Sequence, residues 1–184
     1  MRENVLYPEV QKKYNPCKNG KGDRRYSKNI LERKFNVKKP NKVWSGDITY
    51  IKTSVGWVYL SIVMDLFNRE IVGYSVSKRI NTELVKESLG NSLIGKENPK
   101  GLIFHSDRGS QYSSIGYKKM IEDNEIIASM SKSGCPYDNS CVEVFFASLK
   151  KGCICRKEYN NIEEVKSDIF RYIQFIIENV CIQN

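Results

Sequence analysis

Histidine is almost missing from this sequence: one residue, His105, stands in a chain of 184. That excludes a histidine-cluster metal centre and leaves little for a Ser-His-Asp mechanism. His105 itself reads as a packed, hydrogen-bonded neighbour of Asp107 rather than a catalytic group. The six cysteines include no C-x-x-C pair and accompany no export signal, so neither a zinc site nor a disulfide framework is expected. No apolar run approaches the roughly 18 residues that cross a bilayer, and the opening MRENVLYPEV is polar where a signal peptide is apolar. A cytoplasmic protein with no membrane partner is expected.

What is present is lopsided. Residues 1–42 hold 13 Lys/Arg against 4 Asp/Glu, whereas residues 43–184 hold 17 against 17, so the whole net charge of +9 lies in the first segment. Tyr7, Tyr14 and Tyr26 are interleaved among those bases, a pattern suited to a polyanion, with nucleic acid the first candidate and a solvated basic tail the plainer reading. Pro8, Pro16 and Pro40 interrupt any long helix there, leaving short helical pieces around Ser27–Phe35. The expected organisation is a basic arm or linker over 1–42, a single core over 43–179 and a short tail over 180–184.

From Lys42 the composition turns strand-like. Lys42–Lys52, Gly56–Leu66 and Glu70–Ser77 read as three strands of an antiparallel meander, broken at Ser54-Val55-Gly56 and Phe67-Asn68-Arg69. A helix follows over Asn81–Ile94, with Val85, Leu89 and Leu93 inward and Asn81 or Thr82 as cap. Then come a strand over Leu102–His105, a helix over Ser113–Asp123 with Met120 and Ile121 inward, and a strand over Ile126–Met130. Beyond the loop SKSGCPYDNS, which has the composition of an active-site loop as of any surface loop, a helix capped by Asp138 or Asn139 runs to about Lys151. A last helix spans Ile162–Asn179. This order predicts an α/β fold: a five-stranded mixed sheet, three strands antiparallel and two parallel, flanked by helices.

Three acids stand out. Asp47 lies inside the β-branched and aromatic run VWSGDITYI, where a carboxylate is costly unless it is paired, hydrogen-bonded or holding a cation. Asp107 ends the apolar run Leu102-Ile103-Phe104, at a strand's C-terminal edge where open α/β sheets place their chemistry. Glu143 falls on the expected helix after the loop. Three carboxylates with no cysteine or histidine partner suit a hard, oxygen-loving ion, magnesium or manganese, and two such ions fit phosphodiester chemistry best. Asp47 is then the natural bridging ligand. Asp65, in another apolar strand, reads as structural, and Gly109, Ser110 and Gln111 as shaping the turn after Asp107.

Thirty-five residues separate Asp107 from Glu143, and WSGDITYI, YLSIVMDLFNREIVGYSVS, LIFHSDRGSQYSS, SMSKSGCPYDNS and EVFFASLK follow in order. In these blocks, over about residues 27–178, the chain resembles the insertion-sequence transposases with a retroviral-integrase-like core. The resemblance implies a ribonuclease-H-like fold, a catalytic and metal-binding triad at Asp47, Asp107 and Glu143, two magnesium ions, and DNA cleavage and strand transfer by a 3′-hydroxyl. It also implies DNA contacts from Asn139 and Lys150, one turn before and two turns after the helical glutamate, with Lys151 beside them. Lys150 and Lys151 have a plainer reading as helix-end cations favourable to the macrodipole. Transposon ends and target DNA are the implied partners, bound by a homo-multimer, with nucleoid association when DNA-bound.

Two departures from the family pattern bear on function. The helix-turn-helix segment usual upstream is represented only by the remnant before the core. Downstream, FIIENVCIQN replaces the usual Y-N-x-x-R-x-H segment, and Gly152 stands where an acidic residue is usual. The reading is a chain truncated at both ends, with two rivals to an active transposase core: a non-enzymatic remnant that binds DNA or a full-length homologue, and a ribonuclease-H-type nuclease acting on RNA–DNA hybrid.

Overall fold

The computed structural model describes residues 26–94, 101–132 and 136–180. Three strands come first: β1 (Val43–Thr53), β2 (Gly56–Asp65) and β3 (Ile71–Ser77). They are followed by α1 (Thr82–Leu93), β4 (Ile103–Ser106), α2 (Ile115–Asp123) and β5 (Ile127–Met130). A 3-10 turn over Pro136–Asn139 leads into α3 (Ser140–Gly152), and α4 (Ile162–Val180) ends the fold. The strands form one sheet in the order β3-β2-β1-β4-β5. The β1–β2 and β2–β3 pairs are antiparallel and the β1–β4 and β4–β5 pairs parallel, as the expected mixed sheet requires.

β1 is therefore the middle strand, and its alternation feeds two cores. Val43 and Ile51 join the cluster that contains Val142, Phe145, Phe146 and Leu149 of α3 and Val165, Ile169 and Ile173 of α4. Trp44 and Ile48, one residue out of phase, join the cluster containing Val85 and Leu89 of α1 and Tyr117 and Ile121 of α2. Side chains of this size each contribute roughly 1.5–3 kcal/mol when fully buried, so the two faces hold the middle strand rigidly.

Local signals set the helix starts. Asn81 Oδ1 accepts from Leu84 N at 3.1 Å and Ser114 Oγ from Tyr117 N at 3.3 Å, satisfying donors left over in the first turns of α1 and α2. Ahead of α4, Asn161 Oδ1 accepts from Glu164 N at 2.9 Å, while Glu164 reaches back to the Asn160 N–H at 3.0 Å. Asp65 is structural: its two oxygens accept the backbone N–H groups of Asn41 and Phe67 at the turn into β3.

The segment ahead of β1 contains turns over Ser27–Phe35 rather than the short helical pieces expected there. It is fixed by tertiary contacts. Leu31 is buried, Phe35 and Val37 pack beside it, and the backbone N–H groups of Ile30 and Leu31 donate to Ser129 Oγ at 2.9 and 3.2 Å. Residues 1–25, which hold 7 Lys/Arg against 3 Asp/Glu, lie outside the described residues, as do residues 133–135 of the loop before α3.

Candidate active site

The parallel register pairs Ser45 of β1 with His105 of β4. Asp47 lies two residues further along β1, and Asp107 one residue past the end of β4, at the C-terminal edge the sequence pointed to. Asp47 Oδ1 accepts the N–H of Ile48 at 2.7 Å, and Asp107 Oδ1 accepts the N–H of Gly109 at 2.9 Å. A Cβ on Gly109 would stand 2.9 Å from Asp107 Oδ1 and 3.0 Å from Gln111 Oε1, so glycine is what lets the turn fold back onto the carboxylate. Arg108 turns away, its Nε donating to Ser131 O at 2.9 Å and its guanidinium covering the Tyr26 ring.

Glu143 comes from α3, whose position is set at both ends against β1. At its start, the Ser45 hydroxyl donates to Asn139 Oδ1 at 2.5 Å and Asn139 Nδ2 donates to Gly46 O at 3.3 Å. Near its end, Lys150 Nζ lies 4.5 Å above the centre of the Tyr50 ring. Five strand residues at ~3.3 Å and eleven helical residues at ~1.5 Å both span about 16 Å, so α3 runs alongside β1 in the same direction.

The carboxylates act on one another. Burial is the largest influence on Asp47 and, together with the charges of Asp107 and Glu143 and against hydrogen bonds from Ile48 and Asn139, pushes its carboxyl up to about 7. The Asp107 carboxyl is also raised by desolvation, although part of the residue reaches solvent. Oxygen-only donors crowded until one resists ionisation form a set that a hard divalent cation would stabilise. Among the described residues, however, no three Asp, Glu, His or Cys side chains come close enough together to hold one ion. Asp47 is within electrostatic reach of both Asp107 and the exposed Glu143.

The other sequence-predicted positions divide. Lys150 is half-buried beneath its contact with Tyr50, and Lys151 is exposed at the helix end. Asn139 differs from expectation. Its residue is 5% exposed and both ends of its amide are engaged with β1, so in this structure it neither caps α3 through its side chain nor faces solvent as a DNA contact. His105 is fully buried between Ser129 Oγ at Nδ1 and Ser131 Oγ at Nε2, a packed neutral imidazole whose titration burial pushes down.

Two features went unread in the sequence. Asp138 is buried and gathers Asn29 Nδ2, Arg33 Nε and Lys132 N, tying the segment before β1 to the turn that launches α3. Tyr50 and Trp57 form an exposed edge-to-face pair on the β1–β2 hairpin. Alternation along β1 could have placed Tyr50 on the face opposite Asp47, but no local signal could have paired Arg33 with a residue more than a hundred positions away.

Comparison with known proteins agrees with this architecture. The integrase core domain profile matches residues 37–136, more than half of the chain. The transposase InsF of insertion sequence IS3A from Escherichia coli K12 is 37% identical over 174 residues, covering 95% of this chain and 60% of the relative. The transposase of insertion sequence element IS904 from Lactococcus lactis is 40% identical over 157 residues, covering 85% of this chain and 62% of its own length. The chain thus spans about 60% of the length of these curated relatives.

Among solved structures, the Mos1 transposase catalytic domain superposes with a TM-score of 0.60 at 16% identity, over 73% of this chain and 70% of that one. A chain of the simian T-cell lymphotropic virus intasome gives 0.57 at 20% identity, over 69% and 44%. The fold is the ribonuclease-H-like one of integrase and transposase catalytic cores, and the chain belongs to the integrase core domain family.

Proposed function

We propose that this chain is the catalytic core of an insertion-sequence transposase, a DDE-type polynucleotidyl transferase that cleaves DNA and transfers its strands in a divalent-metal-dependent reaction. The carrying observation is the placement of Asp47 on the middle strand, beside the end of β4 after which Asp107 stands, with the charges of Asp107 and of Glu143 on α3 both acting on its buried carboxyl. Asp47, Asp107 and Glu143 are the residues that would hold magnesium or manganese, two ions being the number that suits phosphodiester chemistry. The Mos1 catalytic domain has been solved with manganese and with magnesium, which supports the choice of metal. When bound, such ions activate an attacking hydroxyl and stabilise the leaving oxygen of a phosphodiester.

The protein's own contribution is placement. β1, packed on both faces, fixes Asp47; the Gly109 turn fixes Asp107; and the Asn139 amide clamps the start of α3 four residues before Glu143. Lys150 and Lys151 lie two turns beyond Glu143, where they can meet the phosphates of a DNA strand passing the carboxylates. The basic excess of residues 1–42 adds a sequence-independent attraction for the same polyanion. Transposon ends and target DNA are the proposed substrates, a homo-multimer on DNA the proposed assembly, and the bacterial cytoplasm the proposed location.

The test is magnesium-dependent joining of a pre-cut DNA end by the full chain, with Asp47→Asn as control. Joined product with the wild type and none with the variant supports the proposal. Salt-sensitive DNA binding without product in either protein moves the reading to a DNA-binding remnant, and cleavage confined to RNA–DNA hybrid moves it to a ribonuclease H.

A further inference from the structure

Two large aromatic side chains are left in solvent on the β1–β2 hairpin, beyond Asp47 along β1. Tyr50 is 58% and Trp57 50% exposed, their ring centres 5.2 Å apart at an interplanar angle of 83°. They occupy diagonal positions across the β1–β2 pair, on the face opposite Asp47. β4 pairs only with Val43–Ser45, so the Thr49–Thr53 half of β1 has no β4 partner, and Lys150 of α3 reaches the Tyr50 ring there.

A cleft of about 430 Å³ opens at this edge, lined by Tyr50, Trp57, Lys52, Lys150, Lys157 and Tyr159 among others. Lys157 is neutralised by Asp168 at 2.6 Å, whereas Lys52 is exposed and Lys150 contacts only the aromatic ring in its described interactions. Aromatic surface rimmed by cations is the surface on which bases stack while phosphates are neutralised.

We propose that Tyr50 and Trp57, with Lys52 and Lys150, form a stacking platform for an unpaired base of the DNA strand whose phosphate lies at the carboxylates. This rests on the proposed function and adds the state of the substrate: single-stranded or frayed over a short stretch at the site. The spacing supports it. Tyr50 lies three strand residues beyond Asp47 and Lys150 seven helical residues beyond Glu143, each a rise of about 10 Å in the same direction. At ~3.4 Å per stacked step, and more in an extended unpaired strand, that places the stacked base within about three nucleotides of the reacting phosphate. A cross-strand aromatic pair also stabilises its own hairpin, so the test must read contact with the base rather than folding alone.

Trp57 supplies that reading without a mutation, because the only other tryptophan, Trp44, is fully buried. The full chain is titrated with a single-stranded oligo-dT, a blunt duplex, and heparin as a polyanion without bases, while tryptophan emission is followed. The expected result is saturable quenching by oligo-dT, weaker quenching by the duplex and none by heparin. Trp57→Leu should weaken oligo-dT binding about tenfold and heparin binding less than about twofold, with Tyr50→Phe close to wild type and Tyr50→Ala impaired.

Unchanged emission on addition of oligo-dT, or equal weakening of oligo-dT and heparin binding by Trp57→Leu, overturns the platform. The two proposals fail separately. Strand joining without an emission change removes the platform and leaves the catalytic reading, whereas base-dependent quenching without joining removes the catalytic reading and leaves Tyr50 and Trp57 as a base-binding surface with no tie to the carboxylates.

Discussion

Arg33 Nε donates to Asp138 Oδ1 at 2.6 Å, and through this contact the segment ahead of the sheet holds the turn that precedes the glutamate-bearing helix. Asp138 is buried while the Arg33 side chain is half-exposed, so the acid bears most of the desolvation and needs all of its donors, Asn29 and the Lys132 N–H included.

Removing that charge should loosen the helix. Asp138→Asn is expected to lower stability by about 1.5–3 kcal/mol, the range for hydrogen bonds to a charged group, and Arg33→Ala by less because Arg33 reaches solvent. Chemical denaturation of both variants and the double mutant measures the coupling. Additive losses would show that the two residues do not interact.

The same contact sets an acid limit. The Arg33 hydrogen bond is the largest influence on Asp138 and, aided by the Lys132 N–H and the Arg33 charge, holds its carboxyl below the ordinary 3.8. A depressed carboxyl pKa contributes stability that is fully present above the unfolded value and is lost as pH falls through the folded one. Wild-type stability should therefore fall more steeply below about pH 4 than that of Asp138→Asn, as read by melting temperature against pH.

Asp47 should behave in the opposite sense. Its carboxyl is raised to about 7, so without metal it costs stability as pH rises from about 4 through 7. At pH 8 and without divalent ions, Asp47→Asn is expected to be more stable than wild type by roughly 1–4 kcal/mol, with magnesium stabilising only the wild type. Equal melting temperatures with and without magnesium in both proteins would argue against a metal at Asp47.

Gly73 tests the packing of the outer strand on α1. A Cβ there would come within 2.5 Å of Ser88 O and 2.6 Å of Ser92 N, helix backbone that cannot rotate away. Gly73→Ala should cost about 1–3 kcal/mol by forcing α1 off the sheet, whereas Gly90→Ala, whose nearest neighbour is the end of Met120 at 3.6 Å, should be neutral or stabilising. Denaturation midpoints of the two variants decide it.

The order of strands and helices and the mixed sheet were legible in the residues, because period-two and period-3.6 apolar patterns are local, and Asp47 drew notice because a carboxylate inside an apolar strand is conspicuous wherever it occurs. Asp65 shows where that reasoning needs more than pattern: it too is an acid in an apolar strand, yet the Asn41 and Phe67 N–H groups satisfy it. Only tertiary structure decided that Asn139 turns inward onto Ser45 and Gly46, that Arg33 meets Asp138, and that Lys150 reaches Tyr50. Each of these joins residues from 93 to 105 positions apart, or in the last case a helix to a strand edge left open by a short neighbour, and such meetings depend on how packed elements come to rest against one another. Side-chain period fixes which face a residue takes; the partner waiting on that face is set by the fold.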